Sequence, residues 1–229
     1  MRERLIAEGI GTFALVFMGC GAIVANDLTG GTVGHVGIAL VFGLVVMAVI
    51  HAFGEVSGAH INPAVTLGFA AAGRFPKREV LPYVGVQVAG ALVGAGALRL
   101  ILGPHPTLGA TLPAAGLGLG SAFALEAIMT AFLMAVILGV STGAKEKGIM
   151  AGAAIGGTVA LAALWVGPLT GASLNPARSL GPALVAGRFD VLWLYLAAPV
   201  LGALAAAPVC RLVYGSGCCP GDETPACNT

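Results

Sequence analysis

Ser57-Gly58-Ala59-His60-Ile61-Asn62-Pro63-Ala64-Val65-Thr66 and Thr170-Gly171-Ala172-Ser173-Leu174-Asn175-Pro176-Ala177-Arg178-Ser179 share the tripeptide Asn-Pro-Ala, with the second copy 113 residues after the first (175 − 62). Asn is a favoured helix N-cap and Pro a favoured first helical residue. Each copy therefore announces a short helix that begins within strongly apolar sequence. In a membrane-spanning chain, a helix starting at bilayer depth leaves irregular backbone ahead of it. Such backbone is tolerated where it lines a wet cavity. One copy alone reads equally well as the cap of a buried helix; two copies in matching places point to a pore or a binding site.

Composition requires a membrane. Of the 229 residues, 58% are hydrophobic and 9% charged, and the mean hydropathy is +0.97. A water-soluble domain of this size would lack charge for its surface. Apolar runs near the roughly 20 residues that span a bilayer predict six crossings, at 4–25, 34–54, 79–101, 118–141, 149–168 and 190–213. Two half-length segments, 62–72 and 175–186, are too short to cross. The start, Met1-Arg2-Glu3-Arg4, runs into apolar sequence without a small-residue cleavage site and reads as a retained first span. The net charge of +1 gives no sign of a nucleic-acid partner. No nucleophile–base pair, phosphate loop or His/Cys/carboxylate spacing appears, so the sequence predicts no enzyme, no cofactor and no metal centre. The 36 glycines fit close helix packing in lipid. Gly85, Gly90, Gly94 and Gly96 on the third span, and Gly148, Gly152, Gly156 and Gly157 on the fifth, are the expected contact points.

Basic residues set the expected orientation. With the N-terminus inside, the inner side holds Arg2, Arg4, Arg74, Lys77, Arg78, Lys145, Lys147 and Arg211, and the outer side Arg99, Arg178 and Arg188. The expectation is a multi-pass protein of the cell membrane with both termini cytoplasmic. Glu8 with Thr12 and Phe13 in the first span is matched by Glu126 with Thr130 and Phe132 in the fourth. Each half then supplies three spans and one Asn-Pro-Ala segment. Three is odd, so the second half enters the membrane upside down, as an inverted-topology repeat. The chain is expected to be one domain, 1–229, with repeats at 4–101 and 118–213 and a disordered tail at 214–229.

The physics of a pore follows from these segments. An Asn that caps a helix with its carbonyl oxygen keeps its amide hydrogens for other acceptors, so Asn62 and Asn175 aim donors at one spot. Both half-helix N-termini add positive potential there, which admits neutral solutes with lone pairs and repels cations. The non-helical residues ahead of each Asn, namely Gly58, Ala59, His60 and Ile61 and then Gly171, Ala172 and Ser173, have carbonyls that need partners, and a wet lumen offers them.

With these motifs in hand, the sequence resembles the aquaporins, or major intrinsic proteins, over about residues 4–214. Gly171 through Ala183 and Gly73-Arg74-Phe75-Pro76 are similar to the nodulin-26-like branch. The resemblance implies an all-α membrane fold of six transmembrane helices plus two re-entrant half-helices. It implies passage of water, glycerol-like polyols and neutral metalloid hydroxides such as arsenite. It also implies a homotetramer in the lipid bilayer with one pore per subunit. It makes Asn62, Pro63, Ala64, Asn175, Pro176 and Ala177 the paired motif and the carbonyls just named an acceptor ladder. Glu8 and Glu126 become supports of the re-entrant loops rather than proton relays. Phe42, Ala163, Ala172 and Arg178 become the selectivity filter. Water-selective members usually carry His where Ala163 stands, and no His follows His105; a wider, less polar filter is expected. A water-selective aquaporin stays as the alternative, and a secondary transporter as the alternative from another class. His51 is expected to pack against a neighbour, His60 to brace its loop, and Cys20 to be buried and inert. Cys218, Cys219 and Cys227 in the tail are vicinal or near-vicinal soft ligands that could hold trivalent arsenic, against the plainer reading of an inert tail with free thiols.

Overall fold

A computed structural model describes residues 1–141 and 149–215. Its elements in chain order are α1 (Arg2–Leu28), α2 (Gly34–Ser57), α3 (Pro63–Ala71), α4 (Lys77–Leu102), α5 (Leu119–Val140), α6 (Ala151–Trp165), α7 (Gly167–Thr170), α8 (Pro176–Ala186) and α9 (Leu192–Tyr214). α1, α2, α4, α5 and α9 are long and apolar enough to cross a membrane. Each lies within three residues of its predicted bounds. The fifth predicted span, 149–168, differs. It is a 15-residue helix, α6, that breaks at Val166 before the four-residue α7. Pro168 lies in the first turn of α7, where its missing N–H costs nothing.

The half-helices α3 and α8 begin where the sequence puts them. Asn62 and Asn175 are extended N-caps (φ −157° and −151°). Each side-chain oxygen accepts backbone N–H groups of the turn that follows, and a Pro occupies the first turn. The halves are interlocked rather than laid side by side. α1 packs on α4 and α2, α5 packs on α9, and α2 packs on α6 across the halves. α3 docks against α9 of the second half, and α8 docks against α4 of the first.

Glycine permits these approaches. A Cβ on Gly43 (α2) would sit 2.6 Å from the Gly156 carbonyl (α6). A Cβ on Gly90 would run into the Gly9 carbonyl, and one on Gly202 into that of Ala127. Gly94 and Gly152 also lie in tight contacts, whereas Gly85, Gly96 and Gly157 face open space, and Gly148 lies outside the described residues. The outward faces are apolar: Leu81, Leu100 and Leu212 are 80%, 87% and 86% exposed. In lipid these side chains lie in their preferred solvent.

Candidate functional site

Two irregular segments, 58–62 and 171–175, meet in the middle of the bundle. They follow the same path. Gly58 and Gly171 close α2 and α7 in the left-handed region (φ 86° and 85°). Ala59 and Ile61 (φ 45° and 43°) then match Ala172 and Leu174 (φ 40° and 54°). A non-glycine residue held there costs on the order of 1 kcal/mol or more, so each segment needs external restraint.

Glu8 and Glu126, both fully buried, supply it. Glu8 Oε1 accepts from Ser57 Oγ and His60 N (both 2.8 Å), and Oε2 accepts from Ile61 N (2.7 Å) and Gln87 Nε2 (2.8 Å). Glu126 Oε1 accepts from Thr170 Oγ1 (2.6 Å) and Ser173 N (2.9 Å), and Oε2 accepts from Leu174 N (2.9 Å). The carboxylates thus turn the amides of the strained segments outward, so their carbonyls face the other way. Tyr83 Oη donates to the Ser57 carbonyl at 2.9 Å and Tyr195 Oη to the Thr170 carbonyl at 2.6 Å. These tyrosines were missed in the sequence reading. They are two of three tyrosines in the chain and stand 112 positions apart (195 − 83), which is a repeat signal that was there to find.

The Asn side chains are less free than expected. Asn62 Nδ2 donates to the Leu174 carbonyl (2.7 Å) and Asn175 Nδ2 to the Ile61 carbonyl (2.8 Å). One hydrogen of each amide ties down the opposite segment, which leaves the second for the lumen. Ile61, expected only as a rung of the acceptor ladder, therefore also anchors Asn175.

A cavity of about 980 Å³ runs along this seam. Gly58, Ala59, His60, Ile61, Asn62, Ala172, Ser173 and Asn175 line it. Gly171 is absent from the lining, and Leu174, which was not foreseen, is present. The facing wall is apolar, with Leu15, Val46, Val65, Ile155 and Val159. The lining includes the polar residues Arg4, His51, Glu55 and Arg74. It also includes Phe42, Ala163, Ala172 and Arg178, the four predicted filter residues.

Arg178 is 2% exposed. Its guanidinium carbon lies 4.8 Å from the Phe42 ring centroid. Nη1 donates to the Gly109 carbonyl (2.7 Å) and touches Cys20 Sγ (3.5 Å), while Nε is buried with no partner. The Gly19 Cα lies against the Phe42 ring, where any Cβ would collide. The connection between α4 and α5 supplies the Gly109 carbonyl and is part of the site. Thr111 Oγ1 bonds Ser179 Oγ (2.8 Å), and the Ala114 amide donates to the Leu169 carbonyl (2.8 Å).

The other predicted residues fall as follows. His60 stacks on Phe69 (4.7 Å between centroids), packs edge-on to Phe75 and contacts Tyr83, and its Nδ1 bonds Thr66 Oγ1 (3.1 Å). His51 packs against Gly152, where a Cβ would collide with its ring. Cys20 is fully buried, and its thiol lies 3.7 Å from the Gly109 carbonyl and 3.5 Å from Arg178 Nη1. Cys210 is buried near the end of α9, 3.8 Å from Arg74 Nη2. Cys218, Cys219 and Cys227 lie outside the described residues.

The major intrinsic protein profile matches residues 1–210. The chain belongs to the major intrinsic protein family. Among relatives in that family, aquaporin NIP1-3 of Oryza sativa subsp. japonica is 46% identical over 92% of this chain and 73% of its own length. Nodulin-26 of Glycine max is 46% identical over 92% of this chain and 78% of its own. Among solved structures, the aquaglyceroporin of Plasmodium falciparum superposes with a TM-score of 0.84 at 27% identity, covering 93% of this chain and 98% of that one. Members of the family are channels rather than enzymes, and the fold is the inverted repeat of six crossings and two half-helices.

Proposed function

We propose that the chain is a passive channel for water and small uncharged solutes, including glycerol-like polyols and metalloid hydroxides such as arsenite. The observation that carries this reading is the cavity of about 980 Å³ that is lined by both Asn residues and by Arg178. One wall is apolar and the other carries carbonyls and amide donors. A solute that gives and takes hydrogen bonds can exchange partners along that stripe without full dehydration. A cation meets the N-termini of α3 and α8 and the buried Arg178, all of positive potential.

In this reading Asn62 and Asn175 hold the solute at midplane. Phe42, Ala163, Ala172 and Arg178 form the filter. With two alanines opposite Phe42, the filter admits solutes bulkier than water. Glu8 and Glu126 keep the ladder of 58–61 and 172–173 in place. The repeats are 4–101 and 118–213, the termini lie in the cytoplasm, and four copies assemble in the cell membrane.

Stopped-flow swelling of proteoliposomes tests the reading. Water and glycerol fluxes above those of empty vesicles, with a low activation barrier and no saturation, are the expected result. Accumulation of arsenite in cells lacking their own uptake route extends the test to metalloids. No flux above empty vesicles overturns the channel, and water flux alone reduces it to a water-selective aquaporin. Native mass spectrometry reports the number of subunits, and labelling of an introduced Cys near residue 2 reports the side.

A further inference from the structure

The filter arginine is held from outside by a turn, and that turn is held by a histidine. His105 Nδ1 accepts the Leu108 amide at 2.9 Å and lies 3.4 Å from that of Thr107. Its Nε2 lies 3.2 Å from Asp27 Oδ2. A ring whose Nδ1 accepts carries its proton on Nε2, which here donates to Asp27. The imidazole is 9% exposed and Asp27 51%.

The two residues at the apex of the turn are in the left-handed region, Leu108 at φ 51° and Gly109 at φ 74°. Leu108 is fully buried. A Cβ on Gly109 would lie 2.8 Å from the Cys20 Cβ, so only glycine lets the turn sit flush on α1. The Gly109 carbonyl is then delivered to Arg178 Nη1 at 2.7 Å and to the Cys20 thiol.

We propose that His105 is a positioning residue for the selectivity filter: its neutral imidazole fixes the 105–109 turn, and the turn fixes Arg178. The inference rests on the channel reading above. A proton on Nδ1 replaces an acceptor with a donor that faces the Leu108 N–H. The turn then loses its brace, the Gly109 carbonyl moves, and Arg178 gives up its one oxygen acceptor. The freed guanidinium finds acceptors across the lumen, which obstructs a polyol more than water. Filter selectivity therefore depends on whether Nδ1 carries a proton.

The groups facing this assembly are few. Asp27 and the Cys20 thiol come from α1, and Arg178 comes from α8. Arg99 in the last turn of α4 is exposed. Asp27 faces Nε2, and the two turn amides face Nδ1.

Proteoliposomes equilibrated at several pH values between roughly 5 and 8 provide the test, with glycerol and water permeability measured on the same vesicles. The glycerol-to-water ratio of the wild type is expected to fall about threefold or more toward acid, the equivalent of one weakened hydrogen bond. His105→Asn, whose carbonyl oxygen can take the place of Nδ1 but does not titrate, is expected to keep the high ratio at every pH. His105→Phe, with no acceptor, is expected to show the low ratio at every pH. A wild-type ratio flat with pH overturns the proposal, as does a His105→Asn profile that follows the wild type. If His105→Phe fails to fold, those two profiles still decide. Water flux with a flat ratio removes only this inference; absence of water flux at every pH removes the channel reading and this one with it.

Discussion

Replacing Glu126 by Gln tests whether the buried carboxylates hold the strained segments in place. The wild-type side chain accepts three hydrogen bonds, from Thr170 Oγ1, Ser173 N and Leu174 N. Gln has one acceptor oxygen and one NH₂. If its oxygen takes the Thr170–Ser173 side, the NH₂ confronts the Leu174 amide. If it takes the Leu174 side, the Thr170 hydroxyl can rotate to accept, but the Ser173 amide is left alone. Either way one backbone N–H is orphaned in a site where Glu126 is 0% exposed. Such an orphan costs about 1–3 kcal/mol, and the surviving bonds weaken as the charge is lost. The expected destabilisation is roughly 3 kcal/mol. Tyr195→Phe, which deletes one neutral bond to the Thr170 carbonyl, should cost about 1 kcal/mol. Titration of purified protein from mild detergent into dodecyl sulfate, followed by the fluorescence of Trp165 and Trp193, gives both values. If Glu126→Gln lies within about 0.5 kcal/mol of the wild type, or below Tyr195→Phe, the carboxylate does not restrain the segment and the argument fails.

Ala163→His narrows the end of the cavity opposite Phe42 and should suppress glycerol flux at least about tenfold while retaining water flux, a size-and-polarity effect of the order of 1–3 kcal/mol; equal loss of both fluxes counts against a filter at this position. Asn175→Asp keeps the helix cap but turns a donor to the Ile61 carbonyl into an anionic acceptor, so well-assembled mutant vesicles should conduct small cations, and unchanged cation conductance contradicts the placement of this side chain. Gly202→Ala forces a methyl into the Ala127 carbonyl and should cost about 1–3 kcal/mol. Gly157→Ala meets open space and should gain up to about 1 kcal/mol; the same titration ranks the two, and a reversed order refutes the packing argument.

The half-helices were legible because capping is local chemistry: Asn then Pro fixes a helix start whatever surrounds it, and α3 and α8 begin one residue after each Asn. The spans were legible because length and hydropathy suffice. What could not be read were contacts made by backbone atoms at long range. Nothing in Thr107-Leu108-Gly109 says that its carbonyl reaches Arg178, 69 positions away. Nor does either Asn reveal that its amide ties down the opposite segment, since that depends on how the halves interlock. The glycines failed for a different reason. On a helix apolar all round, no polar face marks which side meets lipid, so Gly157 and Gly156 look alike in sequence although one faces open space and the other lies against Gly43.

The crossed bonds between Asn62 and Leu174, and between Asn175 and Ile61, set an order of events in synthesis. The acceptor for Asn62 lies 112 residues downstream. At roughly 5–20 residues per second, the ribosome needs on the order of ten seconds to reach it. During that interval the first half-helix is capped and tied to Glu8, yet its amide hydrogen and the Ile61 carbonyl have only water to bond. The nascent first half is therefore wet at its centre and cannot close. A chain stopped short of Leu174 stays in that open state, so the arrival of the second loop, rather than the insertion of any one span, is the step that completes the lumen.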